Sequence, residues 1–151
     1  MIYTDLTRLA MQVAYKAHHG QTDLQGIPYI YHPIHLAEQM ETEDTCVVAL
    51  LHDVIEDTEM TLEDLREYGF TEKQLEAIEL ISNENVDHTL PDEEREREYL
   101  EYVKKLSVNP IARTVKIADL KHNSDRTRRI EDTDRDEARY RKYSKALELL
   151  Q

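Results

Sequence analysis

Glycine and proline are scarce in this chain, with 3 glycines and 4 prolines among 151 residues. A β-sandwich with many tight turns, or a disordered linker, contains more of both residues, so these two classes are disfavoured. Leucine, alanine, glutamate, lysine and arginine are frequent, and these residues favour helix. The composition therefore indicates a helical globular protein.

Cysteine and long apolar runs are also nearly absent. Cys46 is the single cysteine, so no internal disulfide can form, which fits a reducing compartment. No stretch approaches the ~20 apolar residues that a membrane span requires. The N-terminus shows no basic segment followed by an apolar one, as a signal peptide would. We expect a cytoplasmic protein that forms one domain over residues 1–151.

Positive charge is under-represented, because 32 acidic residues outnumber 19 lysines and arginines and give a net charge of −13. Such a surface repels nucleic acid and anionic membranes, so neither is an expected partner. It repels a phosphorylated substrate as well. A site for such a substrate therefore needs a local cation or a metal ion.

Apolar residues at helical spacing, capping residues and prolines at first-turn positions predict seven or eight helices and no sheet. The predicted helices cover residues 4–19, 33–40, 46–55, 61–68, 71–81, 92–106 and 109–128, and a charged run over 131–139 leads into the last one. A polar loop is expected over 82–94. The fold class is therefore all-α.

The segment 46–55 is apolar almost all round and contains β-branched residues, which would also suit a strand. Its polar residues favour a helix. His52, Asp53, Glu56 and Asp57 fall at positions i, i+1, i+4 and i+5, which share one side of a helix but would lie on both faces of a strand. We therefore predict a buried central helix that carries these four side chains.

Histidine or carboxylate residues lie in apolar surroundings in three segments: 29–33, 50–57 and 116–123. Charged groups in such places are costly to bury unless they are paired or bind a metal. Two imidazoles and two carboxylates from separate helices would form a nitrogen and oxygen site that suits Mn²⁺, Fe²⁺ or Zn²⁺ better than Ca²⁺. The lack of thiolates argues against a structural zinc site.

In these motifs the chain resembles the HD phosphohydrolase superfamily, and within it the branch of alarmone hydrolases that act on ppGpp. The resemblance extends from about Ala14 to about Arg126. It rests on matching motifs at 17–18, 20–21, 26–33, 49–58, 61–65 and 115–123.

The resemblance implies an all-helical fold and a divalent metal, usually Mn²⁺, with Fe²⁺ or Zn²⁺ as alternatives. The residues that it implies as metal ligands are His32, His52, Asp53 and Asp119. It also implies that Glu56 and Asp57 handle the attacking water and that Asn123 contacts the nucleotide. The expected activity is hydrolysis of a phosphate ester of a nucleotide, with the 3′-pyrophosphate of ppGpp as the first candidate.

One departure from the branch leaves the substrate open. Its members usually carry an Arg-Lys pair in the loop before Pro28-Tyr29, where this chain has Asp23 and Leu24. Another nucleotide or a small phosphate ester is the rival substrate. Two other functions are also considered: an HD module that binds a nucleotide without turnover, and a purely structural helical interaction protein.

Overall fold

The computed structural model describes residues 1–130 and 133–151. Within these ranges the chain forms nine α-helices and one 3₁₀ helix, and the only β-type pairing is an isolated bridge between Thr22 and Pro28. The helices are α1 Asp5–Ala17, α2 Tyr31–Glu38, α3 Glu43–Leu51, α4 Val54–Asp57, α5 Leu62–Tyr68, α6 Glu72–Ser82, α7 Asp92–Leu106, α8 Pro110–Asn123 and α9 Asp134–Leu150. The 3₁₀ helix is Arg126–Arg128. The all-α fold class is confirmed.

Side-chain caps begin most of these helices. Four of the helices begin with a reciprocal capping box, in which a threonine side chain accepts a hydrogen bond from the backbone amide three residues later. These threonines are Thr4, Thr61, Thr71 and Thr133. Asn109 caps α8 in the same sense, and proline occupies the first position of that helix. The predicted caps at positions 61, 71 and 109 are therefore present, and they account for where these helices begin.

The central helix is α3, which packs against α1, α2, α6 and α8. Its residues from Thr45 to Leu51 are all buried. A helix that is apolar all round must be covered on every side, and the four neighbouring helices provide that cover. The predicted buried central helix is thus present, although its length differs from the prediction.

The prediction that one helix continues through residue 55 was wrong. The helix α3 ends at Leu51, and α4 begins only at Val54. The imidazole of His52 donates to the carbonyl of Ala49 at 2.7 Å, which satisfies a backbone acceptor at the end of α3. Asp53 lies in the turn, with φ −105° and ψ 0°. The break separates the His-Asp pair from Glu56 and Asp57.

Two other predicted boundaries also move. The helix α2 begins at Tyr31 rather than near Pro33, because the amides of Tyr31 and His32 already bond to the carbonyls of Pro28 and Tyr29. The helix predicted to run toward Arg128 ends at Asn123, and the 3₁₀ turn follows it.

Residues 131 and 132 of the charged run lie outside the described residues. No helix of the described chain is long and apolar enough to cross a membrane. The assignment of one domain to residues 1–151 stays a prediction.

Candidate metal centre and adjoining cleft

Four side chains from three parts of the fold meet at one buried point. His32 comes from α2, His52 and Asp53 from the turn between α3 and α4, and Asp119 from α8. Asp119 Oδ1 lies 2.9 Å from His32 Nε2 and 3.5 Å from His52 Nε2. Asp53 Oδ2 lies 3.0 Å from His52 Nε2 and 4.0 Å from His32 Nε2. The four predicted ligand residues are thus adjacent in space.

His52 directs one nitrogen at the two carboxylates. Its Nδ1 donates to Ala49 O, because a carbonyl can only accept, so its Nε2 is the nitrogen that faces the cluster. That Nε2 is buried and makes no hydrogen bond of good geometry. Burial opposes a charge on the ring, but the nearby carboxylates of Asp53 and Asp119 raise the pKa of His52 well above its ordinary value. The centre therefore favours positive charge at this nitrogen.

His32 is oriented by a second histidine. Its Nδ1 lies 2.7 Å from Nδ1 of His122, and the two rings stack with centroids 5.0 Å apart. Burial, followed by the positive charge of Arg128, lowers the pKa of His122 to about 4. The uncharged His122 can accept a hydrogen bond from His32 Nδ1, while His32 Nε2 lies 2.9 Å from Asp119 Oδ1.

Two residues of its own helix, α8, contact the carboxylate of Asp119. Lys116 Nζ lies 2.9 Å from Asp119 Oδ2, and Asn123 Nδ2 donates to Asp119 Oδ1 at 3.0 Å. Burial alone would raise the pKa of Asp119, but the charge of Lys116 and the neighbouring imidazoles of His32 and His52 hold it well below its usual range. The carboxylate therefore stays ionised, as a metal ligand must.

Asp53 is held from the loop before α2. The hydroxyl of Tyr29 donates to Asp53 Oδ2. Burial is the largest single influence and opposes ionisation of Asp53, but the imidazoles of His52 and His32 together outweigh it and lower the pKa of Asp53 to about 2. His32, His52 and Asp53 each offer one ligand atom, and these atoms lie within 4.8 Å of one another. This spacing fits a single metal ion.

Glu56 and Asp57 project from α4 into an open cavity of 820 Å³. Both side chains are accessible to solvent. Partial enclosure by the protein, with the charges of Glu84 and Asp53 adding to it, raises the pKa of Glu56 to about 8. Enclosure and then the charge of Asp53 raise the pKa of Asp57 to about 6. Carboxylates that titrate near neutral pH suit proton transfer.

Gln21, in the loop after α1, links α4 to His18. Its Nε2 donates to the carbonyl of Asp57 at 2.7 Å. Its Oε1 therefore accepts from Nδ1 of His18, at a distance of 2.8 Å. His18 is buried and packs on the ring of Tyr29, with centroids 4.9 Å apart. His18 and His122 were not among the predicted site residues, yet both contact residues of the site. His122 lies 90 positions from His32, so spacing in the sequence carried no signal for that contact.

Asn123, which the resemblance implies as a nucleotide contact, lines a cavity of 290 Å³. Tyr29, His32 and Arg128 line the same cavity. The amide of Asn123 already bonds to Asp119, so Asn123 joins the metal centre to this cavity. The cavity gives a phosphorylated ligand a place beside the centre.

Comparison with known proteins relates the chain to one family. The family model described as HD domain matches residues 10–149. The bifunctional (p)ppGpp synthase/hydrolase SpoT of Escherichia coli K12 is 44% identical over 79 residues, which are 50% of this chain and 11% of that protein. The guanosine-3′,5′-bis(diphosphate) 3′-pyrophosphohydrolase MESH1 of Danio rerio is 35% identical over 108 residues.

The match to Danio rerio MESH1 covers 67% of this chain and 56% of that protein. The chain thus spans little more than half of that relative and about a tenth of SpoT. A solved structure described as a metazoan ortholog of SpoT that hydrolyses ppGpp superposes with a TM-score of 0.77 at 25% identity. That superposition covers 100% of this chain and 88% of the other.

Proposed function

This chain belongs to the HD domain family, and on that premise we propose that it is a metal-dependent phosphohydrolase of ppGpp. The reaction would release the 3′-pyrophosphate of that nucleotide, the reaction by which MESH1 is named. The observation that carries the proposal is the buried His52 Nε2, which lacks a hydrogen bond and faces two carboxylates. A divalent cation satisfies such an arrangement by replacing a proton.

In this proposal His32, His52, Asp53 and Asp119 hold the ion, and Mn²⁺ is the metal that we expect. Imidazole and carboxylate ligands suit Mn²⁺, Fe²⁺ and Zn²⁺ alike, so the donor set narrows the metal without selecting one. When bound, the ion supplies Lewis acidity toward a phosphoryl oxygen. It also supplies positive charge that a chain with net charge −13 otherwise lacks.

Glu56 and Asp57 are the groups that we propose handle the attacking water. Their raised pKa values, about 8 and about 6, place one or both near the point where a carboxylate can accept a proton at neutral pH. Asn123 is the proposed contact for the nucleotide, since it lies in the cavity next to the centre. We also expect the protein to act in the cytoplasm and to bind neither nucleic acid nor membrane, as its charge indicates.

The test is hydrolysis of ppGpp beside a panel of common nucleotides by protein loaded with Mn²⁺. Asp53→Asn is the variant, and Asp5→Asn, which makes the same change on the surface of α1, is its control. We expect ppGpp cleavage by the native chain and the control. Asp53→Asn should lose at least about a thousandfold in rate together with its bound metal.

Three other results are informative. Cleavage of a different nucleotide would support metal-dependent phosphohydrolysis but would contradict ppGpp as the substrate. Binding of metal and nucleotide without turnover would favour the module that only binds. Unchanged metal content in Asp53→Asn would contradict the proposed ligand set.

A further inference from the structure

The cavity beside the metal centre has a cationic wall. Arg128 lies at the end of the 3₁₀ helix, Arg129 follows it, and Arg139 comes from α9. All three line the same 290 Å³ cavity as His32 and Asn123. In a chain with net charge −13, this small cavity brings three guanidinium groups together, beside the carboxylates of Asp23 and Asp125.

Arg128 is tied to the centre through Asn123. Its Nη1 donates to the carbonyl of His122 at 2.9 Å and lies 3.4 Å from Asn123 Oδ1. Asn123 in turn donates to Asp119. The guanidinium is therefore one side chain away from a proposed metal ligand, and it is about three-quarters buried.

Asp23 also lines this cavity and makes contacts through both oxygens of its carboxylate. Its Oδ1 accepts from the backbone amides of Gln25 at 2.8 Å and Ile27 at 3.0 Å, which closes the loop. Its Oδ2 lies 3.9 Å from Nη2 of Arg128. That distance is at the limit of an ion pair, so the pair leaves the second amine of Arg128 available to a stronger acceptor.

Asp136 orients the other two arginines. Its Oδ1 lies 3.6 Å from Arg139 Nη1 and 4.0 Å from Arg129 Nη2, while its Oδ2 caps α9 by accepting from Thr133. One carboxylate therefore faces two guanidinium groups. The three guanidinium groups are thus paired with carboxylates only at 3.6 to 4.0 Å, and such loosely held groups can bind a phosphate instead.

We propose that Arg128, with Arg129 beside it, binds the phosphate group of the substrate that is not cleaved. The proposal rests on the proposed function, because it assumes a substrate with one phosphate group at the metal centre and another some distance away. It assigns the cationic contacts to the segment after α8. The loop of Asp23 and Leu24 then sets how tightly Arg128 is held before the substrate arrives.

The two partners of the ion pair give a sharp test, because they should act in opposite directions. Arg128→Gln removes the cation, so the KM for ppGpp should rise about tenfold with kcat within about twofold. Asp23→Asn keeps an oxygen that can accept from the two loop amides but removes the competing charge. Its KM should fall about two- to threefold.

Matched controls come from the surface pair Lys104 and Glu101 on α7, whose charged atoms lie 3.3 Å apart. Lys104→Gln and Glu101→Gln make the same changes in net charge away from this cavity, and both should leave KM within about 1.5-fold. A second readout is the Kd of GDP, measured by calorimetry on protein loaded with Mn²⁺. GDP carries no 3′-pyrophosphate, and its affinity should follow the same order, with guanosine unaffected by any substitution.

The outcomes separate the two proposals. Turnover of ppGpp with no change in KM or GDP affinity in Arg128→Gln overturns the phosphate site while the proposed function stands. Weakening in both Arg128→Gln and Asp23→Asn also overturns it, since a purely structural ion pair gives that result. Opposite shifts in GDP affinity without any ppGpp turnover would support the phosphate site and contradict the proposed substrate.

Discussion

Lys116 and Asp119 form a buried ion pair one turn apart on α8, with Nζ 2.9 Å from Oδ2. Lys116 is 6% exposed, and its ammonium lies 5.8 Å and 5.4 Å from the ring centroids of Tyr99 and Tyr102. Because the pair is buried, the lysine holds the carboxylate of Asp119 in its charged form at the candidate metal centre.

Replacement of this lysine should destabilise the protein without metal. In Lys116→Met the carboxylate of Asp119 is left buried without its cation, which costs about 3 kcal/mol in free energy of unfolding. Urea denaturation in the presence of a chelator measures this change in the free energy of unfolding. Lys121→Met, at an exposed position of the same helix, should change the free energy by less than about 0.5 kcal/mol. Equal stability of the two variants would contradict the importance of the buried pair.

The hydrogen bond from Gln21 to Asp57 should matter for rate more than for metal binding. Gln21→Leu removes the hydrogen bond that ties α4 to the loop after α1, so Glu56 and Asp57 lose their alignment. We expect kcat for the proposed reaction to fall about tenfold, with the bound metal unchanged. Gln39→Leu is a suitable control, since the exposed side chain of Gln39 donates to the carbonyl of His35, four residues before it. A loss of metal in Gln21→Leu would point instead to a general disruption.

Stability of the metal-free protein should fall as the pH rises. The folded chain raises the pKa of Glu56 to about 8 and of Asp57 to about 6, so it binds these protons more tightly than the unfolded chain. That contribution is present below about pH 4 and is lost progressively toward pH 8. Chemical denaturation at several pH values should give a shallower decline for Glu56→Gln than for the native chain. A steeper decline for the variant would refute this account.

The central helix should be the most sensitive part of the core. Leu50 is fully buried within α3, and Leu50→Ala should lower the free energy of unfolding by about 3 kcal/mol through lost transfer energy and a cavity. Leu149→Ala, at a position of α9 that is 42% exposed, should cost less than about 1 kcal/mol. Comparable losses from the two substitutions would argue against α3 as the centre of the core.

Local signals predicted the helices well because caps and periodicity act within a few residues. The caps at Thr61, Thr71 and Asn109 lie where their patterns place them. The break after Leu51 escaped prediction, since it depends on a hydrogen bond of His52 to its own helix and on the cluster that its ring faces. A hydropathy pattern contains neither of these.

The kinds of residue at the candidate site were also predictable. Histidine and aspartate within apolar segments need a partner, and the four named for the metal do meet in space. Their roles as ligands, and those of Glu56, Asp57 and Asn123, stay predictions until metal binding and turnover are measured. Asp23, which the sequence analysis marked as a departure, closes a loop and faces Arg128.

By itself the sequence determined an all-helical chain, a strongly acidic surface and three segments whose buried polar residues require a common partner. Only the tertiary structure decided that His122 orients His32 from 90 positions away and that arginines after α8 wall the adjoining cavity. Helix formation depends on neighbours in the chain, which a sequence states directly. Contacts between helices depend on how their apolar faces pack together, and that packing is a property of the whole fold.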